Sequence, residues 1–262
     1  VPATLESNLR ATLEAIAVET ERARRDPDEV RLLAVTKSVA PPVALELARL
    51  GQRDLGENRL PNLLEKRAFL DAAGVQVTWH FIGKIQRNKA RKVVLNADVL
   101  HSVDGMRLLE TLERVAAEEE RTVRVYLEVK LSDDPEKHGF APDELATAAL
   151  AADAAPHLEL LGLMTMATRP PAGAPEEDAQ ALAREEFDRL AQLAKELESN
   201  PATAVAFPAG HVQLSIGMSG DYAAAIAAGS DVVRIGTALY AGLDRDSGRP
   251  AADDARSEGG AA

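Results

Sequence analysis

Short apolar runs, each followed by a stretch of helical period, alternate along this chain, and no other feature limits its fold as strongly. The runs fall at residues 31–37, 54–58, 78–83, 99–104, 124–130, 158–166, 213–218 and 232–236. Runs of this length, separated by helical segments, read as strands. A strand that returns to the sheet through a helix pairs in parallel with its predecessor, because the helix carries the chain back to the same end. Eight such units in about 240 residues fit an α/β chain closed as a single (β/α)8 TIM barrel. An open doubly wound sheet is the competing arrangement, but no G-x-G-x-x-G follows any strand to mark a dinucleotide site.

Leu5, Leu9, Leu13 and Ile16 lie on one face of an extra N-terminal helix ahead of the first strand. Pro41 and Pro42 open a helix that Gly51 ends, and Pro61 opens one that stops before Gly74. A long helix carrying Phe187, Leu190, Ala194 and Leu197 stops at Asn200–Pro201. The barrel is expected to occupy residues 1–243. The tail 244–262, "DRDSGRPAADDARSEGGAA", has too few apolar groups to dock and is expected to be disordered. The connection 167–179, "ATRPPAGAPEEDA", has the composition of a mobile flap, poorly ordered without ligand.

A formal charge of −12 argues against a polyanionic partner, so no nucleic acid is expected. The chain has no cysteine, which excludes disulfides and thiolate chemistry. No apolar run reaches the roughly 18 residues of a membrane span, and the acids within the N-terminal apolar pattern are unlike a signal peptide, so a cytoplasmic location is expected.

In such barrels functional groups gather at the C-terminal strand ends. The ends here are polar: Lys37, then Gly56-Glu57-Asn58, His80 within "WHFIGK", "HSVD" (101–104), "EVK" (128–130), "SIGMS" (215–219) and "RIGT" (234–237). Gly217, Ser219, Gly236 and Thr237 bring small residues and backbone N–H groups to the seventh and eighth strand ends, where barrels bind phosphate. A phosphorylated ligand facing a lysine points to pyridoxal 5′-phosphate (PLP) held as a Schiff base on Lys37, whose partial burial would keep a fraction of the amine neutral. Arg234 is then poised to meet the pyridine nitrogen and keep it unprotonated. His101 reads as a core histidine, and His138, His157 and His211 lack ligand spacing, so no metal site is expected. The basic run Lys84–Lys92 reads as a solvated face.

The stretches "LLAVTK", "LGENRLPN", "WHFIGKIQRNK", "HSVD", "KHGF", "GLMTMA", "LSIGMSGDYAAAI" and "VRIGTALYAG" together resemble the pyridoxal phosphate homeostasis proteins, over about residues 5 to 243. The resemblance implies a barrel of the alanine-racemase N-terminal-domain type, with PLP on Lys37 and a role in PLP supply and amino-acid homeostasis. It implies that Asn58 and His80 line the cofactor, that Ser215 and the Gly236–Thr237 backbone take the phosphate, that Arg234 approaches the ring nitrogen and that Met218 packs near the ring. Lys84, Arg87-Asn88-Lys89 and Tyr240-Ala241-Gly242 depart from the usual residues of that family, at or beyond the edge of the site.

Two functions from different classes follow. One is a monomeric carrier that hands PLP to apo-enzymes without turnover of its own. The other is a racemase, which needs an acid/base group on each face of the substrate. Barrel-type racemases take the second group, a tyrosine, from an added C-terminal domain for which residues 244–262 leave no room. Tyr126, Tyr222 and Tyr240 are weak substitutes, being inside a strand or at helix starts. A Schiff-base aldolase is a third reading, against which Arg234 and the motif set speak. The carrier is the expectation.

Overall fold

In this computed structural model, the described residues are 4–248 apart from 133, 135, 136, 169–172 and 174. The alternation folds as read. Strands β1 (Arg31–Val35), β2 (Asp54–Glu57), β3 (Thr78–Phe81), β4 (Val99–Val103), β5 (Val123–Glu128), β6 (Leu158–Met164), β7 (Gln213–Ser215) and β8 (Val232–Ile235) form one closed barrel in chain order. Every neighbouring pair is parallel, and β1 closes on β8 with Leu33 opposite Arg234.

Helices α1 (Leu5–Arg22), α2 (Pro41–Arg49), α3 (Leu60–Ala72), α4 (Ala90–Asn96), α5 (Met106–Glu118), α6 (Leu145–Asp153), α7 (Glu176–Ser199), α8 (Pro201–Ala204) and α9 (Tyr222–Ala227) surround it. Pro41 and Pro61 sit in the first turns of α2 and α3, where a missing N–H costs nothing. Thr4 and Ser7 cap α1 reciprocally, satisfying two N–H groups that a helix start leaves bare. The apolar faces of these helices and the outward residues of the strands, such as Leu32, Leu55, Leu100 and Leu160, form the main core. A smaller cluster of Val99, Tyr126, Leu161 and Met164 is separate from it. Hydrogen bonds from His101 on β4 to Ser215 on β7, and from Tyr126 on β5 to Gln213 on β7, join strands that are not neighbours and so cross the barrel interior.

Several strands stop short of the expected range on the C-terminal side. β1 ends at Val35 and β7 at Ser215. Gly217 has φ +93°, a left-handed backbone that cannot continue a strand, and the chain turns into the cup there. The tail does not leave the barrel at Leu243. The Ala40 N–H donates to the Arg245 carbonyl at 2.9 Å, and the Asp244 carboxylate accepts from the N–H groups of Asp246 and Ser247. Residues 244–248 therefore form a turn bound to the start of α2, against the expectation of a disordered tail from residue 244. Residues 249–262 lie outside the described residues.

Of the expected flap, residues 169–172 and 174 also lie outside the described residues, whereas Glu176–Ala179 are the first turn of α7. Its root is fixed. The Thr168 N–H donates to Glu186 Oε2 at 2.6 Å, and Lys137 Nζ donates to the Met166 carbonyl at 2.9 Å and to Thr168 Oγ1 at 2.6 Å.

Candidate cofactor cavity

Where β1 ends, Lys37 leaves the sheet while the residue before it stays buried. The Thr36 N–H donates to the Gly56 carbonyl at 2.9 Å and its hydroxyl donates to Glu57 Oε1 at 2.6 Å. Lys66 of α3 completes the anchor, its Nζ 2.6 Å from Glu57 Oε1 and 2.9 Å from the Thr36 carbonyl. Both members of this ion pair are buried, at 0 % exposure for Glu57 and 2 % for Lys66. Glu57 Oε2 has no partner among the described residues. Lys37 itself is exposed, not partly buried as expected, and its Nζ makes no hydrogen bond or ion pair among the described residues. The backbone under the amine is rigid and the amine is free.

Lys37 opens into a cavity of about 640 Å³ at the C-terminal ends of the strands. Asn58, Met218, Arg234, Gly236 and Thr237 line the same cavity. Asn58 is held by close packing of the next loop, since a Cβ on Gly83 would lie 2.1 Å from the Asn58 carbonyl oxygen. Ser219 and Gly220, but not Gly217, line the β7 side, beside Asp221, whose carboxylate accepts from the Met218 N–H. Burial raises the Asp221 carboxyl, although that hydrogen bond and the charge of Arg234 oppose the shift.

Arg234 is 5 % exposed. Its Nη1 donates to the carbonyl and hydroxyl oxygens of Ser215, and its Nη2 donates to the Thr165 carbonyl at 2.9 Å. A guanidinium has five N–H groups, so the Nε hydrogen and one on Nη2 have no protein acceptor among the described residues. Burial pushes Arg234 down to about 10, against the pull of Asp221 and Glu128, so it remains a cation at neutral pH.

Two expected site residues stand elsewhere. Ser215 is fully buried beneath the cavity, its Oγ bonded to Arg234 Nη1 and His101 Nδ1. His80 also misses the cavity wall. Its ring lies between His101 Nε2 at 2.8 Å and Asp54 Oδ1 at 2.9 Å, toward the N-terminal end of the barrel. β3 ends at Phe81 and β7 at Ser215, and on those sides the wall is built by the loops beyond, residues 82–84 and 218–221, which leaves His80 and Ser215 one layer below it. His101 is the core histidine expected, stacked on Tyr126 with ring centroids 4.6 Å apart. Burial holds it well below the ordinary imidazole range, and burial lowers His80 as well despite the hydrogen bond to Asp54.

The cavity also has walls that the strand ends did not reveal. Glu176, Ala179, Gln180 and Ala183 of α7 line it, a helical spacing that covers one side of the mouth. Lys84 lies on the wall, not beyond its edge, and its Nζ is 2.6 Å from His138 Nε2. A side pocket of about 160 Å³ adjoins it, lined by Glu128, Asp104 and Lys137 among others. Burial and the neighbouring Asp104 charge push Glu128 up to about 7. In the basic run, Arg91 pairs with Glu118 and Glu119. Among the described residues no group of acids and histidines is arranged to hold a metal ion, and no helix is long and apolar enough to cross a membrane.

The chain is similar over most of its length to known proteins. The pyridoxal phosphate homeostasis protein of Pseudomonas aeruginosa is 36% identical over 249 residues, covering 95% of this chain and 99% of that one. PipY of Synechococcus elongatus, solved with PLP bound, is 32% identical with a TM-score of 0.69, over 90% of this chain and 99% of that one. An alanine racemase of Clostridium difficile shares the fold, with a TM-score of 0.63 at 16% identity, over 90% of this chain and 57% of the racemase. The profile of the alanine racemase N-terminal domain family matches residues 11–244. The chain belongs to that family and, within it, to the pyridoxal phosphate homeostasis proteins.

Proposed function

We propose that this protein binds PLP in the mouth of the barrel as a Schiff base on Lys37 and acts as a carrier in PLP homeostasis. The observation that carries the reading is one cavity holding a lysine amine and two N–H groups of a charged arginine that have no partner among the described residues, together with two glycine-bearing loops. The donor set fits the group. Lys37 meets the aldehyde, Arg234 faces the pyridine nitrogen, and the Gly236–Thr237 backbone with Ser219, in place of the buried Ser215, takes the phosphate. Asn58 and Met218 flank the ring. The bound cofactor supplies an electrophilic carbon that exchanges between amines. Lys37 stands exposed at an open mouth, which favours reversible loading and release in the cytoplasm to apo-enzymes, by a monomer.

The tyrosines support a carrier over a racemase. Tyr126 donates to Gln213 at 2.8 Å and Tyr240 to the Val35 carbonyl at 3.2 Å. Burial raises both phenols above their ordinary range, which makes them poor bases at neutral pH. Tyr222 stands at the start of α9 and does not line the cavity.

The test is the visible spectrum of the purified protein beside Lys37→Ala, followed by borohydride reduction and mass mapping. The expected result is a Schiff-base band fixed onto the Lys37 peptide and absent from the variant. A wild-type protein that stays colourless with added PLP would refute the cofactor, and robust turnover of a free amino acid would refute the carrier.

A further inference from the structure

The barrel interior contains a hydrogen-bonded chain that the cavity chemistry leaves unused below Arg234. From the N-terminal end it runs from Asp54 Oδ1 to His80 Nε2 (2.9 Å), His80 Nδ1 to His101 Nε2 (2.8 Å), His101 Nδ1 to Ser215 Oγ (2.8 Å) and Ser215 Oγ to Arg234 Nη1 (2.9 Å). His80, His101, Ser215 and Arg234 are buried, whereas the Asp54 side chain is 30% exposed.

The hydrogens available fix the direction of every link. Arginine only donates, so Ser215 Oγ accepts from Nη1. The hydroxyl hydrogen then goes to His101 Nδ1, because no other acceptor bonds it among the described residues and a bare hydroxyl in a dry interior is costly. A neutral His101 consequently carries its hydrogen on Nε2 and donates to His80 Nδ1. His80 likewise carries its hydrogen on Nε2 and meets Asp54, an acceptor. Burial would raise the Asp54 carboxyl, but the His80 hydrogen bond and the charges of Arg31 and Arg124 bring it below its ordinary range. A cation at one end and a carboxylate at the other thus select one tautomer for each histidine. Bonds aligned head to tail polarise one another, so a change at Asp54 is felt at Arg234.

We propose that Asp54, His80, His101 and Ser215 are positioning residues for Arg234, a one-way relay through the barrel interior by which a carboxylate at the N-terminal end orients the guanidinium in the cavity. Its purpose rests on the cofactor reading above, but its geometry does not. The relay holds Nη1 on Ser215, leaving the Nε hydrogen and one Nη2 hydrogen for the ring of the bound group.

The experiment is NMR of the full chain, labelled with 15N at histidine and arginine and free of cofactor. His80 and His101 are expected as neutral rings with the hydrogen on Nε2. Asp54→Asn, which removes the charge and keeps the shape, is expected to shift the side-chain signals of His101 and Arg234 as well as those of His80, and Asp54→Glu to restore them. Ser215→Ala is expected to block transmission, so that adding Asp54→Asn to it no longer moves Arg234. With PLP loaded, Asp54→Asn is expected to lose it roughly threefold to tenfold faster. Hydrogen on Nδ1 of either ring, or changes that stop at His80, would overturn the relay whether or not PLP binds. An unchanged rate of PLP loss would overturn its role in holding the cofactor. If Asp54→Asn does not fold, Ser215→Ala decides from the other end, where an unaltered Arg234 signal overturns the proposal. A colourless wild-type protein with the expected tautomers would sink the cofactor reading alone.

Discussion

Two buried polar assemblies flank β2, and they hold the two key cavity residues in opposite ways. Glu57, Lys66 and Thr36 lie between the strands and α3, where two full charges meet at 2.6 Å. Asp54, His80, His101 and Ser215 lie inside the barrel, where charge stands only at the ends of the chain. The first clamps the backbone before Lys37 and leaves the amine free. The second clamps the head of Arg234 and leaves two N–H groups with no acceptor among the described residues. A group that forms and breaks a covalent bond needs a rigid base and a mobile tip. A group that holds a ring in place needs a rigid tip.

If that contrast is right, the ionic assembly should be the more fragile. Lys66→Met leaves Glu57 charged, fully buried and short of its main partner, and is expected to cost about 3–5 kcal/mol of stability in urea denaturation. The double variant Glu57→Gln/Lys66→Met should recover most of that loss, because no unpaired charge is left behind. A loss below about 1 kcal/mol for Lys66→Met would mean that water reaches Glu57 and that the two assemblies do not differ in kind.

The neutral assembly should break more gently and respond to acid. His101→Phe keeps a ring against Tyr126 but strips partners from His80 Nδ1 and Ser215, at an expected cost of roughly 1–3 kcal/mol. Its pH signature has a definite sign. The folded values of His80 and His101 are depressed, so below pH ~6.5 the unfolded chain binds protons that the folded chain refuses. Stability is therefore full above that pH and falls as the solution is acidified, by up to about 1.4 kcal/mol per pH unit for each histidine. His101→Phe should lose one share of this slope. The difference between variant and wild type cancels the contribution of His211, which Asp231 and Glu198 raise against its burial. Equal slopes would mean that His101 takes up a proton without unfolding.

The division between clamp and relay was only partly legible in the sequence. The strand ends singled out Lys37, Arg234, Gly236 and Thr237, because barrel topology brings such ends to one mouth, whereas Asn58 and Met218 were picked out by the family resemblance; all six line the cavity. Ser215 and His80, which the resemblance placed at the cofactor, do not line the cavity, and no sequence signal fixes where a strand ends closely enough to show that they are interior. Lys66 left a signal that could have been used, since it falls on the same helical stripe as buried Leu63 and Leu70, an odd place for a lysine without a buried acid. Asp54 left none. Its partner is 26 residues away on the neighbouring strand, and only the register that sets Gly56 opposite His80 brings them together. The α7 wall was hidden for another reason, because the spacing of Glu176, Ala179 and Ala183 is also that of any helix packed on a barrel.

The smallest effect separates what the relay does by polarity from what it does by packing. Tyr126 stacks on His101 but bonds Gln213 instead of joining the chain, and Gln213 Oε1 keeps a donor in Arg31 at 2.9 Å if the phenol is removed. Tyr126→Phe should cost only about 0.5–1.5 kcal/mol in urea denaturation, the value of one hydrogen bond whose acceptor stays satisfied. It should leave the His101 hydrogen on Nε2 and the rate of PLP release unchanged, because the ring that walls the relay is still present. Ser215→Ala also removes a single hydroxyl oxygen, yet it leaves the stack untouched and cuts the chain, and should alter both readouts. If Tyr126→Phe disturbed the tautomer as strongly as Ser215→Ala, the imidazole would be held by its stacking partner, and the direction of the relay would be a consequence of packing instead of the charges at its ends.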